Sequence, residues 1–159
     1  MYELTGVLGR AELLRDRVAG LPETVVVELN QGLGLVPVGE ELFRELTGAR
    51  RVDFAELPET FAALLAEWSQ AGPIAFVEAE FFAGDGYQGA SVWRDGLLEW
   101  GPVVEETCGA ARPDWPINTA LTRLGAVSDG RDLFSSVGLG AERDVADWLA
   151  RGRLRRRSR

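Results

Sequence analysis

The sequence predicts an α+β fold: a mostly antiparallel sheet of five or six strands, with a central three-stranded meander and helices packed on one face. Three observations carry the prediction. The stretch from Gly72 to Pro102, GPIAFVEAEFFAGDGYQGASVWRDGLLEWGP, holds three strand-like segments joined by glycine-rich turns. Elsewhere strand and helix signals follow one another in mixed order with hairpin-type connections, which disfavours a regular parallel sheet. Finally, 159 residues with an apolar fraction of 46% can build one sizeable core. Residues 1–150 read as a single domain, and residues 151–159, RGRLRRRSR, as a basic, disordered tail.

In chain order, Tyr2 to Leu8 reads as a first strand. Ala11 to Leu21 follows with Leu13, Leu14 and Val18 at helical spacing before Pro22. The β-branched run Thr24 to Leu29 has the composition of a buried strand, and Gln31-Gly32-Leu33-Gly34 turns the chain into a short strand from Leu35 to Val38. Glu40 to Leu46 is a helix whose acidic first turn suits the helix dipole and which Gly48 stops. Pro58 to Ala71 gives the clearest helical pattern, with Phe61, Leu64, Leu65 and Trp68 on one stripe and Gly72-Pro73 at its end.

Within the meander, side chains of Ile74 to Phe82 alternate, so Glu78 and Glu80 share one face with Phe76 and Phe82. The loop Ala83 to Tyr87 reverses the chain and Gln88 to Arg94 returns. Asp95-Gly96 signals a two-residue type I′ turn, which would pair Arg94 with Leu97, Trp93 with Leu98 and Val92 with Glu99. Val104 to Trp115 is irregular. Pro116 at a first helical position starts a helix through Leu124, and Asp132 to Val137 and Glu142 to Leu149 add two short helical segments.

Composition removes whole classes of chemistry. No histidine occurs, so Ser-His-Asp and Cys-His catalysis and histidine metal ligation are excluded. All 17 basic residues are arginine, which leaves no lysine for a Schiff base or a phosphate-binding loop. Cys108 is the single cysteine, so no intramolecular disulfide or multi-thiolate metal site can form, and a reducing cytoplasm is the expected setting. Cys108 reads as a small apolar residue: no histidine or lysine can activate its thiol, although Arg112 is near in sequence. The N-terminal MYELTGVLGRAELLRDRV has no basic segment leading into an apolar stretch, and no run of about 18 apolar residues occurs; neither an export signal nor a membrane span is expected.

Charge is uneven. All 25 acidic residues and 11 arginines lie within residues 1–150, a body near −14, while six arginines crowd the last nine residues. Such a body repels nucleic acid, which is not expected as a partner, and attracts basic proteins. The arginine tail could bind an anionic surface, but beside an acidic body it reads as disordered or self-contacting.

The candidate site is therefore a partner-binding surface of Glu78, Glu80, Asp85, Tyr87, Gln88 and Trp115. Its carboxylates and aromatic groups sit in or near the meander. The five tryptophans read mainly as core, with Trp115 in Pro113-Asp114-Trp115-Pro116 as the one best placed for exposure. No catalytic residue is assigned and no cofactor is expected. The rival reading uses Glu78, Glu80 and Asp85 as metal ligands or an acid/base set in a metal-dependent hydrolase or small-ligand binder. The Gly84-Asp85-Gly86 segment lacks the lysine and helix N-terminus of a phosphate loop.

The residues GPIAFVEAEFFAGDGYQGASVWRDG, with INTALTRLGA and LFSSVGLGAERDVADW downstream, resemble a group of small actinobacterial proteins patterned GP-x-A-x-VEAE-x-F-x-G-x-G-x-Q-x-A-x-VW-x-DG. Glu78, Glu80, Gly84, Gly86, Gln88, Trp93, Asp95 and Gly96 hold that pattern, which covers about half of the chain. The resemblance carries no activity. At the level of class alone, a small acidic α+β chain is also similar to the immunity proteins of bacterial toxin systems. The expectation is a non-catalytic, immunity-type inhibitor that presents an acidic and aromatic surface to a basic partner such as a toxin, with a homodimeric structural or regulatory protein as a further alternative.

Overall fold

A computed structural model describes residues 1–50, 53–83, 85–108 and 113–158, apart from the side chains of Thr107 and Cys108. The readings that fall on Gly84, Arg112 and the Cys108 thiol lie outside the described residues. In chain order the elements are β1 (Tyr2–Arg10), α1 (Ala11–Val18), β2 (Val27–Glu28), β3 (Leu33–Pro37), α2 (Glu40–Thr47), α3 (Glu59–Trp68), β4 (Ile74–Phe82), β5 (Asp85–Arg94), β6 (Leu97–Cys108), α4 (Pro116–Arg123), α5 (Leu133–Ser136) and α6 (Val145–Arg157). The strands form one six-stranded sheet in the order β2-β3-β1-β4-β5-β6. Every pairing is antiparallel, as an α+β class requires.

The helices cover both faces of the sheet, not one. On the first face Leu4, Leu8, Leu35, Ala75, Val77, Ala79, Ala90 and Val92 pack with Ile117 and Leu121 of α4 and with Trp148 of α6. On the second, Val7, Val36, Ile74, Phe76 and Trp93 pack with Leu14 of α1, Phe43 of α2 and Phe61, Leu65 and Trp68 of α3. The reason is that β4 opens apolar on both sides: Ile74 and Phe76 point one way and Ala75 and Val77 the other, all buried. A strand of that kind needs cover above and below. On the second face Phe54 lies parallel to Phe76 at 5.1 Å. A Cβ on Gly89 would stand 2.7 Å from the Phe54 ring, so only glycine lets this stack settle on β5.

The meander forms as its turns dictate. Asp95 and Gly96 take φ of 53° and 80°, the positive values that a type I′ turn needs. Ser69 at the end of α3 holds the hairpin tip, its carbonyl accepting from the Asp95 N–H and its hydroxyl from the Gly96 N–H. Arg94 pairs with Leu97 and Trp93 with Leu98 as expected, but a bulge follows and sets Val92 against Trp100 instead of Glu99. Beyond the bulge β6 continues to Cys108, so Val104 to Cys108 are strand where the sequence predicts irregular chain. β5 likewise begins at Asp85, which places Tyr87 in a strand rather than in the loop. The predicted strand from Thr24 to Leu29 shortens to Val27–Glu28 at the sheet edge.

The expected disordered tail is also helical. α6 runs through Arg157 because Trp148 anchors it in the core and Gly152 brings its backbone onto Val25, where a Cβ would meet Val25 Cγ2 at 2.6 Å. Arg155 reaches Glu28 at 3.4 Å, Glu28 also pairs with Arg15, and the Arg151 guanidinium lies 5.6 Å from the Trp148 ring centroid. Among the described residues no helix is long and apolar enough to cross a membrane.

Candidate functional site

Strand register decides which of the predicted site residues meet. Glu80 lies between Glu3 on β1 and Tyr87 on β5, and Tyr87 pairs onward with Glu106 on β6. Paired residues point to the same side of a sheet, so Glu3, Glu80, Tyr87 and Glu106 form a row across four strands, about 14 Å long at the usual strand spacing. The three carboxylates are exposed, while Tyr87 is half-buried against the second core cluster. Among the described residues Glu3, Glu80 and Glu106 make no ion pair. Asp85 and Phe82 flank the row as a cross-strand pair, and Phe82 is 65% exposed. Glu78 is half-buried in the next row, between Thr5 and Gly89.

Glu3 and Glu106 are absent from the sequence-derived set. Their neighbours are remote in sequence, and only the β1–β4 and β5–β6 registers bring them beside Glu80 and Tyr87. The metal reading gains no geometry. Among the described residues no group of three or more acidic, cysteine or histidine side chains is placed to hold an ion. Glu78 and Glu80 are two residues apart along one strand, roughly 7 Å, and Asp85 stands beside Phe82 at the strand end.

Gln88 and Trp115 belong to the opposite face and are buried, which corrects their assignment to the exposed surface. Gln88 pairs with Ala79, hence faces the first core cluster, and its Oε1 accepts the Ile117 N–H at 3.0 Å. That N–H is one of the orphan donors in the first turn of α4, where Pro116 has none to offer. Gln88 thus caps α4 from a neighbouring strand. Gln88→Ala is expected to destabilise the fold by about 1–2 kcal/mol, read from urea unfolding, because a buried donor loses its acceptor. A change near zero would contradict the capping role.

Trp115, expected at the surface, is only 5% exposed. Its ring stacks on Phe81 at 5.7 Å, Phe81 packs on Tyr2 at 5.7 Å, and Tyr2 meets Phe134 edge-on at 5.5 Å. α5 fixes Phe134: the Asn118 carboxamide oxygen accepts the Phe134 N–H at 2.9 Å, and Asp132 caps the helix by accepting the Ser135 N–H at 3.2 Å. The preceding loop is tied by Asp129, whose carboxyl is held well below the usual carboxylate range by hydrogen bonds from Arg131 and then from Ser136. These rings wall a cavity of about 550 Å³ at the end of the first sheet face, whose lining also takes in Phe82, Asp85, Asp132 and Arg143. Sequence reasoning misses it because its walls come from β1, β4, α4 and α5.

Tyr2 ties the cavity wall to the core through its hydroxyl, which donates to the Leu139 carbonyl at 2.8 Å. Burial pushes its phenol above the ordinary value, with the nearby Trp148 side chain pulling weakly the other way. The folded state therefore keeps a proton that the unfolded chain releases near pH 10, so this contribution is complete below pH 10 and is lost as pH rises through the folded value. Unfolding free energy is expected to fall by ~1 kcal/mol between pH 10 and 11, and Tyr2→Phe should remove that part of the decline. An unchanged alkaline slope in Tyr2→Phe would refute it.

Compared with known proteins, the chain matches no family model, no curated protein and no solved structure.

Proposed function

We propose that this chain is a non-catalytic protein-binding module of the immunity type, which presents the acidic row on β1, β4, β5 and β6 to a basic partner such as a toxin. One observation carries the reading. Glu3 and Glu80 stand directly opposite each other in the sheet, both exposed and, among the described residues, without an ion pair. Like charges in that position cost stability, and a chain retains such a cost where the charges serve a contact. A basic partner relieves the repulsion on docking, and the net charge near −14 of residues 1–150 steers its approach. Phe82 beside the row supplies an apolar anchor. The absence of histidine and lysine supports a role without catalysis, and the single cysteine suits a reducing cytoplasm.

The test is affinity capture at physiological salt with the wild-type chain and with a variant in which Glu3, Glu80 and Glu106 are all glutamine. A basic protein retained by the first and lost by the second, and whose toxicity the wild-type chain suppresses on co-expression, is the expected result. Equal retention by the variant, or activity of the isolated chain on a substrate, would overturn the proposal.

A second reading, the homodimer, draws on β6. This edge strand exposes Leu97, Leu98, Val103 and Val104, and unpaired apolar edges recruit strands. Sedimentation at two concentrations separates the readings, since a dimer through β6 changes mass with concentration and a leucine-to-lysine change at Leu97 abolishes that change.

A further inference from the structure

We propose that the aromatic cavity on the first sheet face is a binding site for a small planar aromatic molecule carrying a carbonyl or carboxylate acceptor. The aromatic walls lie on the face opposite the acidic row, and the site meets that row only at the sheet end, where Phe82 and Asp85 join its lining; its occupation does not depend on a protein partner. Its volume of about 550 Å³ falls within the range of small-molecule sites. Its walls are the linked rings of Phe134, Tyr2, Phe81 and Trp115, whose spacings of 5.5–5.7 Å match those at which aromatic groups attract. Gly86 sits opposite Phe81 in the register of β4 and β5, so its position on β5 puts no side chain beside that ring.

The polar groups select an acceptor. The indole N–H of Trp115 is buried and, among the described residues, has no hydrogen-bond partner, and Trp115 is one of the residues that line the cavity. Buried donors are almost always satisfied, and a lone one beside a cavity calls for an explanation. Gln88 spends its carboxamide oxygen on α4 and keeps an NH₂ donor, and Arg143, with five N–H donors on its side chain, is among the lining residues. Three donors of this kind favour a ligand with a carbonyl or carboxylate oxygen. Asp132 lies on the same lining, where it can accept from an amide or ring N–H of that ligand.

Benzamide is the probe, with cyclohexanecarboxamide as its non-aromatic counterpart, each titrated into the ¹⁵N-labelled full chain and followed by the indole N–H resonances of the five tryptophans. One resonance, identified by its loss in Trp115→Phe, should move saturably with benzamide and at least ~10-fold less readily with cyclohexanecarboxamide. Gly86→Val, which places a side chain beside Phe81, should abolish the response, and Trp115→Phe should weaken benzamide binding by about 10-fold as read from backbone amides. A Trp115 resonance unmoved at saturating probe overturns the proposal, as does an equal response to both amides or a response that survives in Gly86→Val. Should Gly86→Val fail to fold, the comparison of the two amides on the wild-type chain decides alone.

Discussion

Trp148→Ala is expected to lower the unfolding free energy by about 3–5 kcal/mol, the usual loss for truncating a fully buried tryptophan. Trp148 is the largest side chain with no exposure at all. It is also the one large apolar group with which α6 enters the core, because the other buried position of that helix is Gly152. Domains of ordinary stability have only some 5–15 kcal/mol in hand, so the change removes a large part of the total. With roughly 2–4 °C per kcal/mol at this chain length, the midpoint should fall by about 6–20 °C. Helical signal from Val145–Arg157 should be lost first, since without the ring it is left with the Gly152–Val25 contact and the Arg151–Glu142 and Arg155–Glu28 pairs near the surface. Trp148→Phe keeps most of the ring and should cost less than half as much. A loss under about 1 kcal/mol for Trp148→Ala would mean that α6 is held by something other than this ring.

That helix also shows where sequence reasoning ends. Local signals are legible because a few adjacent residues set them: Asp95-Gly96 fixes a hairpin, Gly48 adopts φ of 68° to stop α2, Pro116 opens α4, and the bounds of β4 match the alternating run Ile74–Phe82. The arginine-rich end of α6 reads as a tail since its own residues are nearly all charged, and its order comes from Trp148 and Gly152 meeting strands more than a hundred residues earlier. The two-sided helix cover follows from β4 being apolar on both sides, a pattern visible in IAFV and outweighed in the reading by the glutamates that follow. The two register shifts on either side of Val92 give no sequence signal, and together they change the register of β6 from Trp100 onward. Part of the candidate surface was legible for the same reason: Glu78 and Glu80 share a face by strand alternation, whereas Asp85 and Tyr87, loop residues in the sequence reading, reach that face only through the β4–β5 register, and Gln88 and Trp115 are consumed by α4 and the aromatic cavity.

Replacing Glu3, Glu80 and Glu106 together by glutamine should move stability and association in opposite directions, and that opposition separates a binding surface from a structural one. In the isolated chain the Glu3–Glu80 contact is a like-charge cross-strand pair, so its removal is expected to stabilise the fold by about 0.2–1 kcal/mol. If these carboxylates supported the fold, the same variant would lose stability. Toward a basic partner the variant gives up three exposed charges at the docking face, and the association rate at low salt should fall by about 10-fold or more, since clustered charge of one sign speeds encounter by 10–1,000-fold. Dissociation should change less, because exposed charges act mainly on approach. Raising ionic strength must shrink the difference: at ~1 M salt the screening length is about 3 Å and the two chains should associate at similar rates. The aromatic members of the face answer differently, since Phe82→Ala leaves the charge intact and should act on dissociation with little salt dependence. A triple variant that is less stable than wild type, or one that associates equally fast at low salt, would remove the acidic row from the binding face.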